Sequence, residues 1–234
     1  MAGRKDVPEV MDVSPLSAEM HEEALSGLSR LNRWSLAATP VKRAIADLAR
    51  GRTGPTIDVL DIATGGGDIP LSLARWARQR GLGLRIRACD VSATAIAFAS
   101  RQRDREGLDV DFFVADAKSF DAPDQFDVVI CSLFLHHLEQ SAAADLLSRM
   151  ARAARRLVLV SDLRRNVPGL LLAYAATRTL TRSPVVHVDG PRSVRRAYTI
   201  LEAHEIARQA QLYGADIRRC FPYRFLLTWE RRDR

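Results

Sequence analysis

LDIATGGGDIP, residues 60–70, decides the fold: three glycines follow an apolar run and precede an aspartate, an isoleucine and a proline. Residues 57–62 are short, apolar and rich in β-branched side chains, which is typical of a buried strand, whereas Asp68 and Pro70 favour the start of a helix. Glycine tolerates a positive φ and lets a ligand approach the main chain, and the helix N-terminus supplies unpaired N–H groups. The turn therefore predicts a cradle for a nucleotide-like ligand, with an ordinary tight turn as the alternative.

Strand and helix patterns alternate after this turn. Because each helix pattern separates two strand patterns, the chain predicts right-handed βαβ units and a parallel sheet. Two further strand-like segments are joined only by Pro222 and Tyr223, which favours an antiparallel hairpin at the sheet edge. The predicted strands are residues 57–62, 84–89, 110–115, 126–132, 157–161, 215–221 and 224–230; the helices between them are residues 71–80, 93–103 and 141–154.

The segments outside this pattern suggest a cover over the ligand site. Apolar residues at helical spacing predict helices near residues 15–35 and 39–50, followed by a linker at 51–55. We therefore divide the chain into a helical N-terminal cap, residues 1–52, and a ligand-binding domain, residues 53–234. An insertion at about 163–198 contains an apolar helix, 167–180, and a predicted loop, 183–196. The helix is apolar nearly all round, so it serves as a lid, as core, or as both.

Composition excludes several other classes of protein. The 234 residues suffice for one α/β domain, and no run approaches the roughly 18 apolar residues of a membrane span, so we expect a cytoplasmic protein. Cys89, Cys131 and Cys220 lack metal-ligand spacing and are predicted to be reduced core residues. The chain has a net charge of +7, and its positive excess lies in residues 151–234, where 17 Lys and Arg face 7 Asp and Glu. Two explanations of this excess are open: a coding bias toward arginine, and an anionic partner such as nucleic acid or lipid.

Acidic residues end three successive predicted strands: Asp61, Asp90 and Asp116. A Walker A phosphate loop is excluded because no Gly-Lys-Ser/Thr follows the glycines. The dinucleotide fingerprint fits Gly65 and Gly67 but requires a glycine where Pro70 stands. Converging carboxylates would repel a pyrophosphate, whereas they suit a ligand with an ammonium group, a ribose diol and an adenine amine.

This constellation resembles the class I S-adenosylmethionine-dependent methyltransferases over residues 57–162. Their first motif, Asp-x-Gly-x-Gly-x-Gly, matches residues 61–67, with Ala63 in place of the first glycine. The resemblance implies a Rossmann-like, doubly wound, seven-stranded sheet of order 3-2-1-4-5-7-6 and S-adenosylmethionine as cofactor. It assigns the methionine part to Asp61 and the glycine turn, the ribose to Asp90, and the adenine to Asp116 and Ala117. The implied cofactor-binding residues are Asp61, Ala63, Thr64, Gly65, Gly67, Asp90, Val91, Asp116, Ala117, Ser132 and Leu133.

The end of the fourth strand indicates the class of substrate. Residues 131–137, CSLFLHH, lack the Asn/Asp-Pro-Pro-Tyr/Phe motif of methyltransferases that act on nucleobase amines. They resemble the Leu-His-His-Leu of quinone-biosynthesis and other small-molecule methyltransferases, and residues 189–198 resemble polyketide-associated ones. We therefore expect methylation at O or C of a hydrophobic small molecule that is phenolic, quinone-like or polyketide. The alternatives are an RNA methyltransferase, favoured by the basic C-terminal part, and a non-catalytic or NAD-binding Rossmann-like protein.

A phenolic or enolic acceptor must lose a proton, and His136 or His137 is the candidate base. Consecutive residues leaving a strand are not expected to face one cleft, so at most one is predicted to act. Both would otherwise only hold the strand end by hydrogen bonds. No metal site, no nucleic acid partner and a monomer or homodimer are expected. The predicted substrate-binding residues are Trp34, His137, Tyr174, Arg196 and Tyr198.

Overall fold

A seven-stranded sheet forms the centre of the protein in a computed structural model, which describes residues 3–5, 7–13, 16–50, 56–119 and 125–231. The strand order is β3-β2-β1-β4-β5-β7-β6; β1 to β5 are parallel and β7 is antiparallel to β5 and β6. The predicted order and the C-terminal hairpin are confirmed. The strands are β1 Thr56–Ile62, β2 Gly83–Asp90, β3 Asp111–Val114, β4 Phe126–Ser132, β5 Ala154–Leu163, β6 Asp216–Cys220 and β7 Arg224–Glu230.

Helices cover both faces of the sheet because alternate side chains of each central strand point to opposite faces. Ile57 and Val59 of β1 pack in the core cluster that includes α3 and α4, whereas Leu60 and Ile62 pack in the cluster that includes α6 and α9. The helices of the described residues are α1 Val10–Val13, α2 Ala18–Trp34, α3 Thr39–Arg50, α4 Asp68–Arg80, α5 Ala93–Glu106, α6 Gln140–Ala153, α7 Val167–Leu180, α8 Pro184–Arg196 and α9 Ile200–Gln209.

The glycine turn joins β1 to α4 as predicted, and its glycines serve two different purposes. Gly67 has a φ of 78°, and a Cβ there would lie 2.9 Å from the side chains of Ala99 and Phe112, so this glycine is required by packing. Gly65 has a φ of 54° and no atom within 4 Å of the corresponding Cβ position. Its surroundings are therefore open to a ligand.

Residues 183–196, predicted to form a loop, instead form the whole of helix α8 together with its N-cap, Ser183. Asp189, Gly190 and Pro191 suggested a turn, yet Pro184 starts the helix and Pro191 is accommodated inside it. Tertiary packing explains the difference. A Cβ at Gly190 would lie 2.5 Å from the side chain of Thr177 on α7, so the glycine allows these two helices to approach closely.

Helices α2, α7 and α8 pack on one another. The predicted linker at 51–55, which contains the boundary between cap and domain, lies outside the described residues. Cys89 and Cys131 are buried and reduced as predicted, whereas Cys220 is only half-buried because β6 is an edge strand. Among the described residues, no helix combines the length and apolar character needed to cross a membrane.

Candidate active site

A cavity of about 750 Å³ opens where the carboxyl ends of the parallel strands meet the covering helices. Eight of the predicted cofactor residues line it: Ala63, Thr64, Gly65, Asp90, Val91, Asp116, Ser132 and Leu133. Ala63 and Leu133 have φ values of 55° and 57°, which non-glycine residues rarely adopt. Ala63 thus keeps a backbone conformation for which glycine is the easier choice. The other three predicted residues, Asp61, Gly67 and Ala117, are buried behind the lining.

The carboxylate of Asp90 is fixed at the end of β2 by two backbone donors. Its Oδ2 accepts the N–H of Gly65 at 2.8 Å, and its Oδ1 accepts the N–H of Ser92 at 2.9 Å. Asp116 is fixed similarly, since its Oδ1 accepts the N–H of Lys118 at 2.8 Å. A carboxylate oxygen has two lone pairs, so each acid keeps acceptor capacity for hydroxyl or amine donors of a ligand.

Asp61 carries an acceptor atom without a partner. Its side chain is 1% exposed, and Oδ2 accepts the Thr64 hydroxyl at 2.6 Å, but Oδ1 has no hydrogen-bond partner among the described residues. Burial, together with the nearby carboxylates of Asp90 and Asp68, raises the pKa of Asp61 to about 7, although the hydrogen bond from Thr64 lowers it. A buried, unsatisfied carboxyl oxygen is costly, and a cationic donor would satisfy it. The ammonium group of S-adenosylmethionine fits this requirement.

Both histidine rings after β4 face the same side, contrary to prediction. Residues 135–137 form a turn of 3₁₀ helix rather than continuing the extended strand. This turn brings the ring centroids of His136 and His137 within 4.4 Å of each other. The carboxylate of Glu9 lies 3.4 Å from Nε2 of His136 and 3.7 Å from Nε2 of His137.

His136 is a buried imidazolium between two carboxylates. Its Nδ1 lies 2.7 Å from Oδ1 of Asp162, whose Oδ2 accepts the backbone N–H of His136 at 3.0 Å. Burial disfavours the charged ring, but Asp162 and Glu9 outweigh it and raise the pKa of His136 to about 10. The same contacts lower the pKa values of Asp162 and Glu9. His136 is therefore protonated at neutral pH and cannot accept a proton in that state, which favours His137 as the candidate base of the two.

His137 lines the cavity and is held in one orientation. Its Nδ1 lies 2.9 Å from Oδ2 of Asp12, and its ring stacks on Phe134 at a centroid distance of 5.7 Å. Arg196 donates to the same Asp12 oxygen at 3.1 Å and to the carbonyl oxygen of His137 at 2.8 Å. In the neutral tautomer whose Nδ1–H donates to Asp12, His137 presents Nε2 as its acceptor atom.

Comparison with known proteins identifies the family. A family model described as a methyltransferase domain matches residues 59–156. The ubiquinone biosynthesis O-methyltransferase of Paraburkholderia phytofirmans is 31% identical over 163 residues, which are 68% of this chain and 66% of that protein. The corresponding protein of Paraburkholderia xenovorans is 30% identical over 182 residues, 76% of this chain and 73% of that protein. The chain belongs to the S-adenosylmethionine-dependent methyltransferases.

Solved structures agree with this methyltransferase fold. The plantazolicin methyltransferase BpumL, in complex with a substrate analogue and S-adenosylhomocysteine, has a TM-score of 0.68 and 15% identity, covering 96% of this chain and 93% of BpumL. A methyltransferase from Aquifex aeolicus has a TM-score of 0.62 and 16% identity, covering 92% of this chain and 99% of that chain. At these identities the likeness shows the fold alone. The relative from P. phytofirmans is longer than the matched part, which spans about two thirds of its length.

The predicted substrate residues of the methyltransferase divide into two groups. Trp34, His137 and Arg196 line the cavity, with Trp34 49% exposed at its mouth. Tyr198 does not line the cavity: its ring is buried in the core and its hydroxyl donates to the carbonyl oxygen of Leu138 at 2.6 Å. Tyr174 also lies off the cavity, on the outer side of α7 beneath the guanidinium of Arg178. Neither tyrosine is placed to touch a substrate in the cavity.

The arginines of α8 bind the protein's own N-terminal segment. Arg192 donates to the carbonyl oxygen of Pro8 at 3.0 Å, and Arg196 pairs with Asp12. Asp189 accepts the backbone N–H groups of Val10 and Met11 at 2.8 and 3.1 Å, which caps α1. The basic, turn-like sequence of α8 therefore positions Glu9 and Asp12 beside the histidines.

Several functional residues were missed in the sequence. Asp162 carried a usable signal, because it follows the predicted fifth strand just as Asp90 and Asp116 follow the second and third. Glu9 and Asp12 carried none, since they lie on a short segment whose position depends on α8. The ligand atoms of Glu9, His136 and His137 all lie within 4.8 Å of one another, close enough to share a cation. The proton on His136 Nε2 opposes such binding at neutral pH.

Proposed function

We propose that this methyltransferase transfers the methyl group of S-adenosylmethionine to an oxygen or carbon of a hydrophobic, phenolic, quinone-like or polyketide small molecule. One observation carries the proposal: the oriented His137–Asp12 pair and the Gly65 cradle border the same cavity. The relatives named as ubiquinone biosynthesis O-methyltransferases support the quinone-like class. So does the demethylmenaquinone methyltransferase of Thermus thermophilus, 32% identical over 121 residues.

The residues of the cradle bind and orient the cofactor. We assign its ammonium group to Asp61, its ribose to Asp90 and its adenine to Asp116. The bound cofactor supplies a methyl group on a positively charged sulfur, which is already activated for displacement. The protein therefore contributes mainly the alignment of the acceptor atom with the methyl group. The fixed carboxylates of Asp90 and Asp116 serve this alignment by holding the cofactor in one position.

We assign the proton-accepting step to His137. Its Nε2 lone pair takes the proton of a phenol or enol as the acceptor atom develops negative charge. Asp12 holds the required tautomer through Nδ1, and it also stabilises the imidazolium that forms, together with Glu9 at 3.7 Å from Nε2. His136 stays protonated throughout and holds Glu9 in place, so it acts as a positioning residue.

The covering helices supply an apolar boundary. Leu28 and Leu31 of α2 and Leu172 and Ala176 of α7 line the cavity, a lining suited to a hydrophobic acceptor. We propose that residues 1–52 form the cap and residues 163–198 the substrate lid, because α2, α7 and α8 from these segments pack on one another. Closing them over the acceptor would exclude water from the reaction.

Calorimetric titration with S-adenosylhomocysteine tests the cofactor assignment, with NAD and FAD as controls and Asp90→Ala beside the wild type. We expect binding in the micromolar range, on the order of −8 kcal/mol, that is weakened in the variant and absent for both controls. Mass spectrometry of phenolic, quinol and polyketide acceptors incubated with S-adenosylmethionine then tests for a gain of one methyl group. Binding of NAD instead of S-adenosylhomocysteine would refute the proposal.

Three further assignments remain sequence predictions to be tested separately. We propose a cytoplasmic protein that is a monomer or homodimer and does not bind nucleic acid. Cell fractionation and light scattering test the first two. Titration with RNA at several salt concentrations tests the third, because a steep salt dependence of binding would favour an RNA methyltransferase.

A further inference from the structure

Arg224, the first residue of β7, is a buried cation on the cavity wall. Its side chain is 5% exposed. One nitrogen, Nη2, donates to Oγ of Ser35 at 2.9 Å and to Oδ1 of Asn32 at 3.2 Å. The other two, Nε and Nη1, have no hydrogen-bond partner among the described residues. An arginine buried in this way needs acceptors that the described chain does not provide.

No ion pair compensates this charge within the described part of the chain. The carboxylate of Asp162 attracts Arg224 electrostatically, but it is bonded to His136 and makes no hydrogen bond to Nε or Nη1 of Arg224. Burial lowers the pKa of Arg224 to about 10, and this shift is the cost of the missing partner. The guanidinium of Arg224 loses its bound water when it is buried. An anion that accepts hydrogen bonds from it in the cavity would replace that water and offset the cost.

The position of Arg224 indicates where such an anion lies. Asn32, which accepts from Arg224, donates to Oδ2 of Asp68 at 2.9 Å, and Asp68 directly follows the glycine turn. Asp68 in turn is close enough to Asp61 to affect it electrostatically. The unpartnered donors of Arg224 and the unpartnered acceptor Oδ1 of Asp61 therefore belong to the same end of the site. Together they complement a group that offers both a carboxylate and an ammonium.

We infer that Arg224 is an anion receptor within the cavity and that it binds a carboxylate. The α-carboxylate of the cofactor's methionine part is the first source, because its α-ammonium matches Asp61. A carboxylate on the methyl acceptor is the second source. The inference rests on the proposed function, because that function supplies both the cofactor and the methyl acceptor.

A ligand-by-variant cycle tests the first source by calorimetry. S-adenosylhomocysteine and its decarboxylated form, which keeps the ammonium, are each titrated into the wild type and Arg224→Met. We expect the variant to bind S-adenosylhomocysteine about 10- to 100-fold more weakly, the effect of losing a charge-assisted hydrogen bond. The decarboxylated compound should bind both proteins within about twofold. A comparison of the two ligands on the wild type alone measures what the carboxylate contributes to affinity, even where Arg224→Met folds poorly. Arg224→Lys keeps the charge, so its affinity for S-adenosylhomocysteine should lie between those of the wild type and Arg224→Met.

The second source is tested with benzoate and neutral benzamide as probes in the presence of saturating S-adenosylhomocysteine. Binding of benzoate to wild type but not to Arg224→Met, with unchanged S-adenosylhomocysteine affinity, assigns the carboxylate to the acceptor. Arg178→Met is the matched control, because Arg178 is exposed on α7 and stacks on Tyr174 away from the cavity. It removes the same charge and should change none of these affinities.

The inference is overturned if both adenosyl ligands bind Arg224→Met as they bind wild type and benzoate shows no dependence on Arg224. In that case the only role of Arg224 would be structural: its hydrogen bonds link β7 to the C-terminal end of α2. Failure of the proposed function is distinguishable. Absence of methyl transfer with an intact ligand cycle refutes the reaction and leaves the receptor. Absence of S-adenosylhomocysteine binding refutes the cofactor, and the receptor is then tested by titrating benzoate and benzamide alone into wild type and Arg224→Met.

Discussion

Replacing Asp61 with asparagine separates the cost of burying this carboxyl group from its use in the site. The side chain is 1% exposed, and its Oδ1 atom has no partner among the described residues. Burial raises its pKa to about 7. Asparagine has nearly the same shape, is neutral at every pH, and keeps an oxygen that can accept the Thr64 hydroxyl. The variant should therefore make the ligand-free protein more stable and its cofactor binding weaker.

The size of the stability gain follows from the two pKa values. The carboxyl group ionises near 3.8 in the unfolded chain and near 7 in the folded one. At 1.36 kcal/mol per pKa unit, keeping Asp61 ionised costs the folded protein about 4 kcal/mol above pH 7. Because the folded value is raised, the contribution of Asp61 to stability is most favourable below about pH 4 and is lost progressively as the pH rises to about 7.

Chemical denaturation of the ligand-free proteins between pH 4.5 and 8.5 measures this effect. We expect Asp61→Asn to exceed the wild type by about 2–4 kcal/mol at pH 8, with the unpaired amide of asparagine offsetting part of the gain. The difference should shrink toward pH 4.5. Asp145→Asn, on the exposed face of α6, is the matched control and should show no such trend. In calorimetry, Asp61→Asn should bind S-adenosylhomocysteine about 10- to 100-fold more weakly, since its ammonium loses a charged acceptor.

Two results would refute this reasoning. A variant no more stable than wild type at pH 8 would show that Asp61 is not ionised at a cost in the folded chain. A difference that stays constant from pH 4.5 to 7 would assign the gain to something other than the carboxyl proton. Unchanged S-adenosylhomocysteine affinity would separately remove Asp61 from the ammonium site.

Three further predictions address the base, the absence of a metal and the glycine turn. His137→Gln should lower kcat about 10²- to 10⁴-fold and leave S-adenosylhomocysteine affinity unchanged; full activity in this variant would refute the base assignment. Dialysis against EDTA should leave activity intact because His136 Nε2 carries a proton, and a loss rescued by Mg²⁺ or Zn²⁺ would contradict that protonation state. Gly67→Ala should cost about 2–4 kcal/mol of stability, since a Cβ there lies 2.9 Å from two side chains, whereas Gly65→Ala should mainly weaken cofactor binding; the reverse order would contradict the packing.

The cofactor side of the site was predictable because it follows from sheet geometry. The carboxyl ends of parallel strands meet at one edge, so acids that end successive strands lie close together. Asp90 and Asp116 line the cavity, and Asp61 lies just behind it. Asp162 obeys the same rule at the end of β5, and its importance was missed only because its partner was not foreseen.

The histidine cluster was not predictable in the same way. An extended continuation of β4 would separate the rings of His136 and His137, whereas the 3₁₀ turn brings them together. The carboxylates that decide the protonation of these rings come from residues 9 and 12. Their place is fixed by contacts with α8 that span more than 170 residues of sequence. Local patterns contain no information about contacts of this length, so the charge states followed only from the tertiary structure.

Arg224 lies between these two cases. Residues 224–230 were predicted as the second strand of an antiparallel hairpin, and β7 has these bounds. An antiparallel strand reverses the edge rule: its first residue, not its last, lies at the edge where the parallel strands end. The pairing of Arg224 with Leu163, the last residue of β5, shows this directly. The predicted hairpin agrees with the position of Arg224 at this edge, but the sequence analysis did not single out Arg224, because its importance depends on burial and missing partners that only the tertiary structure shows.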